Sequence, residues 1–407
     1  MKKIAIIVSN PCVNDSRVLK MAFTGLEAGY ETIIFATAAQ DIPNFEINKG
    51  LKIHRFEWKP AKQLIAKNPI LRTINFLSRK MAVGTAKRLV PYFKYFLMKE
   101  IFFKSIIEFN PDIIHAHDLI TLPTACYIAK ITGAKVVYDA HEFERYRFPK
   151  LSFLQYHYVS YIEKKYSAFA HTMITVGDMI QEELKKLLNR DDIKVIYNAP
   201  RIEKSNENIH NRLQFSADKT IILYVGKVSK GRGIEHVLNA LILLPVNYVL
   251  VCLGHTVKAY EEDLIRLSEQ LNLTSRFILQ PPVPENVLVG YIQSAAIGVI
   301  PVEPLTMSYK YCMPNKLFEL SFANVPIVAN KLDNIDLFLK KFHNGVVVDF
   351  LNYETLADSI LFLAKNRDEY LFNDFSNSEL YKKYSWEAQQ KKLIEIYKNM
   401  LLDKRPT

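Results

Sequence analysis

Short apolar runs alternate with amphipathic helical stretches, and the alternation occurs twice with a polar interval between. The chain therefore reads as α/β, with two doubly wound (Rossmann-like) parallel-sheet domains facing a central cleft. Three observations predict this. The strand runs are continuously apolar, as strands covered on both faces must be. Helical stretches separate nearly all of them, as parallel crossovers require. The rhythm stops over Ile202 to Lys219 and restarts at Ile221.

In the first half the expected strands are Ile4–Val8, Thr32–Ala36, Lys52–Phe56, Ile113–His115, Lys135–Tyr138, Met173–Val176 and Lys194–Tyr197. Helices are expected near Ser16–Ala28, Pro69–Phe109, Leu122–Thr132, Tyr156–Ala170 and Asp178–Leu188. The second set of strands is Ile221–Val225, Tyr248–Cys252, Phe277–Leu279, Ile297–Ile300, Pro326–Ala329 and Val346–Val348. These place domains at 1–198 and 199–385, with a last helix at about 386–407 crossing back onto the first. Ligands of such sheets sit at the carboxyl ends of the strands, here in the cleft.

Composition narrows the class. The 407 residues are 49% hydrophobic, 23% charged and 12% aromatic, which are globular values. Cys12, Cys126, Cys252 and Cys312 lie far apart without C-x-x-C spacing, which fits a reducing cytosol better than a disulfide framework or a zinc site. The apolar run Ile4–Val8 is too short for a signal peptide, and nothing approaches the length of a membrane span. Cytoplasmic placement is expected, with peripheral attachment to the inner face of the membrane.

The net charge of +11 concentrates between Lys59 and Lys104, where eleven Lys or Arg face one acid, Glu100. Seven aromatics share that segment, among them Phe76, Tyr92 and Phe103. A basic and aromatic surface at 59–104 fits an anionic membrane interface, and two packed helices with basic outer faces fit equally well. No RNP or KH signature accompanies the charge, which argues against nucleic acid.

Three constellations carry chemistry. The segment Cys312 to Asn330 opens a helix at Pro314, so helical N–H groups lie beside Asn315 and Lys316, a ready anion site. Lys316 and Glu319 share a helix face, which alone could be a solvated ion pair. The loop Gly226-Lys227-Val228-Ser229-Lys230-Gly231-Arg232-Gly233 follows a strand and precedes a helix, with three glycines and three cations for an anion. It is neither a Walker loop nor a G-x-G-x-x-G fingerprint. His115-Ala116-His117-Asp118 and Tyr138-Asp139-Ala140-His141-Glu142 close two consecutive strands. Spacing puts His115 and His117 on one side, as a metal pair or, better supported, as one structural histidine and one meeting a ligand.

Taken in order, the motifs resemble the family-4 retaining glycosyltransferases of the GT-B fold, from Lys3 to about Leu401. The resemblance is carried by Asp15-Ser16-Arg17-Val18, Pro111-Asp112-Ile113-Ile114-His115-Ala116-His117, Tyr138-Asp139-Ala140-His141-Glu142, Ile196-Tyr197-Asn198, the loop Gly226–Gly233, Pro314-Asn315-Lys316-Leu317-Phe318-Glu319 and Tyr384-Ser385-Trp386-Glu387. It implies a sugar moved from a nucleotide-sugar donor to a glycan or lipid-linked acceptor, with retention and without a metal or cofactor, in cell-surface polysaccharide synthesis. The first domain would bind the acceptor and the second the donor. Lys227 and Arg232 would hold the diphosphate, with Asn315, Lys316 and Leu317 at the helix start. Glu319 would bind the ribose, and His117 would be catalytic, near the anomeric carbon.

Two departures stand out. Tyr311 occupies the position of the first glutamate of a frequent pair, with Glu303 the nearest upstream acid. The loop Ser9–Asp15 lacks a glycine pair, so Asn10, Asp15 and Arg17 are candidates at that edge, Asp15 also as a helix cap. His141, Glu142 and Gly226 complete the candidates. Alternatives from other classes are a nucleotide-sugar epimerase and a catalytically weak carbohydrate- or nucleotide-binding subunit.

Overall fold

A computed structural model describes residues 1–13, 15–57, 98–99, 101–146, 151–202 and 207–403, with only the backbone of Asn377. The basic segment from Lys59 onward therefore lies largely outside the described residues. The chain divides into two compact units, Met1–Ile196 with Gln390–Thr407, and Tyr197–Gln389.

The first unit is built on β1 (Lys3–Ile7), α1 (Ser16–Glu27), β2 (Glu31–Thr37), β3 (Phe45–Asn48), β4 (Leu51–Phe56), β5 (Ile113–His117), α2 (Asp118–Thr132), β6 (Lys135–Ala140), α3 (Phe153–Ser167), β7 (Thr172–Thr175), α4 (Asp178–Leu188) and β8 (Lys194–Val195). Its sheet runs β3-β4-β2-β1-β5-β6-β7-β8, parallel except for β3. The central strands are buried on both faces, as in β1 where Ile4 to Ile7 are fully buried.

Two local differences from expectation have clear causes. Strand β3 was not foreseen, because its half-exposed sequence Phe-Glu-Ile-Asn offers no apolar run. It holds the edge by antiparallel pairing with β4 and through Arg55, whose guanidinium reaches Glu46 at 2.6 Å and the Pro43 carbonyl at 2.9 Å. Helix α2 begins four residues before the expected Leu122, directly at the end of β5. The turn is made by Asp118 at φ 64°, and Thr121 Oγ1 donates to the His117 carbonyl at 2.7 Å.

The second unit contains α5 (Ile209–Leu213), β9 (Thr220–Val225), α6 (Ile234–Leu241), β10 (Tyr248–Leu253), α7 (Lys258–Gln270), β11 (Phe277–Gln280), α8 (Glu285–Ile292), β12 (Ile297–Ile300), α9 (Met307–Lys310), α10 (Asn315–Phe322), β13 (Ile327–Asn330), α11 (Asp333–Phe342), β14 (Gly345–Val348), α12 (Tyr353–Lys365) and α13 (Glu379–Tyr384). Its six strands run β11-β10-β9-β12-β13-β14, all parallel. The order reverses between β9 and β12, which makes the carboxyl ends of those two strands the switch-point crevice of this sheet. Ile222 and Tyr224 of β9, Val237 and Leu238 of α6, and Leu356 and Ile360 of α12 form the apolar layer beneath it.

The last helix, α14 (Trp386–Leu402), belongs to the first unit from Gln390 onward, and Tyr397 is fully buried there. Among the described residues no helix is long and apolar enough to cross a membrane. All four cysteines are free.

Candidate active site

In the second unit the crevice between β9 and β12 gathers three segments distant in sequence. After β9 the chain turns through Gly226 at φ 112°, Gly231 at 82° and Gly233 at 71°. Only glycine is easy at such angles. Gly233 also packs so closely that a Cβ would collide with the carbonyl of Pro301, in the loop after β12. Replacing Gly233 by Ala is therefore expected to cost about 1–3 kcal/mol from the disfavoured φ and the displaced loop. Chemical denaturation of the variant measures this, and an unchanged midpoint would show that the loops do not need this approach.

Lys316 enters the crevice from the first turn of α10. Its residue is only 7% exposed, and Nζ lies 3.6 Å from the ring centroid of Tyr224 at the end of β9. A Cβ on Gly226 would lie 3.5 Å from that nitrogen, so the ammonium sits against the glycine loop. It has no hydrogen-bond partner among the described residues. Burial first, then the Arg232 charge, pull its pKa down to about 7, with Glu319 opposing. A buried ammonium without a hydrogen-bond acceptor is costly to the fold.

The other candidates of this unit distribute around it. Arg232 is half-buried, its guanidinium 5.2 Å from the ring of Tyr309 on α9. Lys227 is exposed, and its carbonyl accepts from Tyr224 Oη at 2.8 Å, which fixes the loop on the strand. Asn315 is exposed and accepts from Asn198 Nδ2 at 3.0 Å. Glu319 lies one turn along the same face as Lys316. Pro314 is the residue before the helix and not its first member, with ψ 144°. Leu317 departs from expectation. Its side chain is fully buried, and its N–H is already bonded to the Pro314 carbonyl at 2.9 Å, because the first turn closes upon itself. The helix start is left to Asn315 and Lys316.

Glu303, 67 positions from His236 along the chain, comes to the glycine loop. Its carboxylate is 3.5 Å from His236 Nε2, and its N–H points at the Gly231 carbonyl. Tyr311 is half-buried after α9, its carbonyl held by Asn334 Nδ2 at 2.6 Å.

In the first unit the two histidine motifs meet. His115 and His117 lie on one side of β5, rings stacked at 4.4 Å, as the spacing predicts. Both are fully buried, so burial alone does not tell a structural histidine from one that meets a ligand. They are buried because β5 is an inner strand and α2 follows it without a loop. His115 Nδ1 is 2.7 Å from Tyr397 Oη. His117 Nδ1 is 2.8 Å from His141 Nε2 and 3.2 Å from Asp139 Oδ2, while its Nε2 has no hydrogen-bond partner among the described residues.

Arg17 corrects the sequence expectation. It is 3% exposed, donates to both Asp139 oxygens at 2.8 and 2.7 Å, and gives its remaining reach to the Ile196 carbonyl at 2.7 Å. Three of its five N–H groups are spent on these partners inside the fold, so at 3% exposure it stands as a structural cation. Asp15 caps α1, accepting from the Val18 N–H at 3.2 Å, and is tied to Asn10 Nδ2 at 2.8 Å. Glu142 is half-buried in the turn beyond His141. His115, His117 and Asp139 place ligand-type atoms within 4.8 Å of one another. Asp139 is also the partner of Arg17, so the same residues form a buried ion-pair network. Asp139 and Tyr224 were not singled out from sequence, although the first stands inside a histidine motif and the second in the strand that leads into the glycine loop.

Comparison with known proteins gives the wider setting. The model of the family described as Glycosyltransferase Family 4 matches residues 25–203, and that described as Glycosyl transferases group 1 matches 205–373. An uncharacterized glycosyltransferase of Methanocaldococcus jannaschii is 28% identical over 308 residues, 70% of this chain and 75% of its own. Among solved structures, sucrose-phosphate synthase from Thermosynechococcus elongatus has a TM-score of 0.75 at 16% identity, covering 98% of this chain and 99% of its own. The Anabaena protein HepE in complex with UDP-glucose has a TM-score of 0.70 at 13% identity, covering 98% of this chain and all of its own. At such identities these two structures establish a shared fold.

Proposed function

Because the chain belongs to the family-4 glycosyltransferases of the GT-B fold, we propose that it transfers a hexosyl group from a nucleoside-diphosphate sugar with retention of configuration. The acceptor is a glycan or lipid-linked intermediate of cell-surface polysaccharide synthesis. One observation carries the donor assignment: the buried Lys316 ammonium, without a hydrogen-bond acceptor, beside a glycine loop at the switch point of the second sheet. A diphosphate supplies the missing acceptor oxygens. Lys227 and Arg232 add charge from the loop, Asn315 adds its place at the start of α10, and Glu319 is placed for the ribose hydroxyls. Departure of a nucleoside diphosphate is chiefly a matter of stabilising developing negative charge, which fixed cations and a helix dipole accomplish. That supports a reaction needing no metal or cofactor. His117 is assigned to the donor sugar by the family resemblance.

The lipid-linked acceptor is supported by α3. Phe153, His157, Tyr161 and Lys165 recur every fourth residue, Phe153 being 76% and Tyr161 58% exposed. The only acid of that helix, Glu163, is fully buried. Aromatic and cationic side chains on one exposed ridge suit an anionic bilayer surface, consistent with attachment to the inner face of the membrane.

The test is nucleotide release by the purified chain with UDP-, GDP- and ADP-sugars, with and without chelator, lipid acceptor extract and anionic vesicles. Turnover of one donor, insensitive to chelator and raised by lipid, with an unchanged anomer in the product, is expected. No binding or turnover with any donor would refute the assignment. Conversion of the donor without acceptor would favour an epimerase instead.

A further inference from the structure

We propose that His141 is a positioning residue that fixes His117 as a neutral imidazole with its proton on Nε2, so that His117 meets the donor sugar only as a hydrogen-bond donor. The proposal rests on the assignment of His117 to the donor sugar, and extends it from a residue to a protonation state.

The geometry is a triangle of side chains at the ends of β5 and β6. His117 Nδ1 and His141 Nε2 are 2.8 Å apart, and Asp139 Oδ2 lies 3.2 Å from the first and 3.3 Å from the second. On its far side His141 Nδ1 faces Asp118 Oδ1 at 3.7 Å. His141 thus has a carboxylate near each ring nitrogen. Two carboxylates, Asp118 and Asp139, share this space with one permanent cation, Arg17, which is committed to Asp139. A second positive charge balances the group, and His141 is the residue placed to carry it.

The remaining neighbours do not supply that charge. His115 stacks on His117, bonds Tyr397 Oη through Nδ1, and sits with Nε2 3.8 Å from Asp139. Burial holds it neutral, its pKa well below the ordinary histidine value. Tyr397 stays protonated, its pKa raised chiefly by burial. Asp15 adds a more distant negative charge toward His117. For His141 itself, burial opposes ionisation, but Asp118 and then Asp139 outweigh it and raise the pKa to about 9. Burial lowers that of His117.

An imidazolium carries a proton on each nitrogen. At 2.8 Å, a protonated His141 Nε2 leaves room on His117 Nδ1 for a lone pair only. The single proton of His117 must then sit on Nε2, the buried atom that has no hydrogen-bond partner among the described residues. A side chain so fixed donates to a sugar oxygen and cannot serve as a base through that nitrogen.

Nuclear magnetic resonance of the full chain labelled with 15N-histidine tests this directly. At neutral pH the wild type should show His117 as the Nε2–H tautomer and His141 doubly protonated. In His141→Leu, His117 should move its proton to Nδ1 and donate to Asp139, with kcat falling about tenfold to hundredfold and the donor KM nearly constant. His141→Gln, whose amide N–H can still donate to Nδ1, should restore the tautomer and most of kcat, and it retains the test if the leucine variant folds poorly. Wild-type kcat should also fall as pH rises through about 9, where His141 loses its proton, a step absent from His141→Gln. An Nδ1–H tautomer in the wild type, or an unchanged tautomer in His141→Leu, overturns the proposal. A shifted tautomer with unaltered kcat overturns instead the assignment of His117 to the sugar.

Discussion

Replacing Lys316 by Met is expected to weaken nucleotide-sugar binding by about one to two orders of magnitude, the value of one or two charge-assisted hydrogen bonds, while the folded state survives. Stability and affinity should move in different directions. With no donor bound, the ammonium is desolvated and lacks an acceptor, so its removal should leave the melting temperature unchanged or raised. The sign follows from the lowered pKa. Between about 7 and its ordinary 10.5, Lys316 is protonated in the unfolded chain and not in the folded one, so its contribution to stability rises with pH across that interval. The destabilisation is therefore greatest below about pH 7, where the comparison should be made.

The same group links donor binding to protons. A bound diphosphate favours charged Lys316, so above about pH 7 binding must take up a proton. Affinity should then fall by up to about tenfold per pH unit above that point. Titration calorimetry in two buffers of different ionisation enthalpy reads the uptake. Wild-type affinity in Lys316→Met, or binding at pH 8 without proton uptake, would remove Lys316 from the donor site.

The second large effect is on the first unit. Arg17→Met should destabilise the protein by about 3–5 kcal/mol, because it leaves Asp139 buried without its bidentate cation. Arg17 and His141 hold the Asp139 carboxyl well below the ordinary carboxylate range against the opposing effect of burial. A depressed acid contributes stability above its unfolded pKa, and that contribution is lost as pH falls through the folded value. The variant should lose most at neutral pH and converge on the wild type in strong acid. Urea unfolding at pH 7 and at pH 3 measures both. A loss below about 1 kcal/mol at pH 7 would show that the pair is not structural, since only exposed pairs are worth so little.

Much of the architecture was legible because burial on both faces writes itself into sequence as uninterrupted apolar runs. β1, β9 and β12 were found to within a residue for that reason. β3 was missed because an edge strand with one wet face carries no such run. The start of α2 was missed because Asp118 adopts a positive φ and lets the helix begin without a loop. At the site, residues that act within one local motif were readable: the glycine loop, and the Lys316–Glu319 face. Arg17 was misread because its partner is Asp139, far along the chain. Its neighbour Asp15 is a helix cap, and nothing local distinguishes a capping-turn arginine that faces a ligand from one that faces a buried carboxylate.

The segment around Lys316 shows the division most plainly. Sequence alone determined that a cation stands in the first turn of a helix beside a strand end, because proline, helix periodicity and strand alternation are short-range properties of the chain. Only the tertiary structure decided what that cation is. Packing brings Tyr224, Gly226 and Arg232 around Lys316 from another part of the second unit, and it brings Asp118, Asp139 and His117 around His141 in the first. Solvation and the proximity of other charges set the state of an ionisable group, and both are fixed by neighbours that sequence does not order in space.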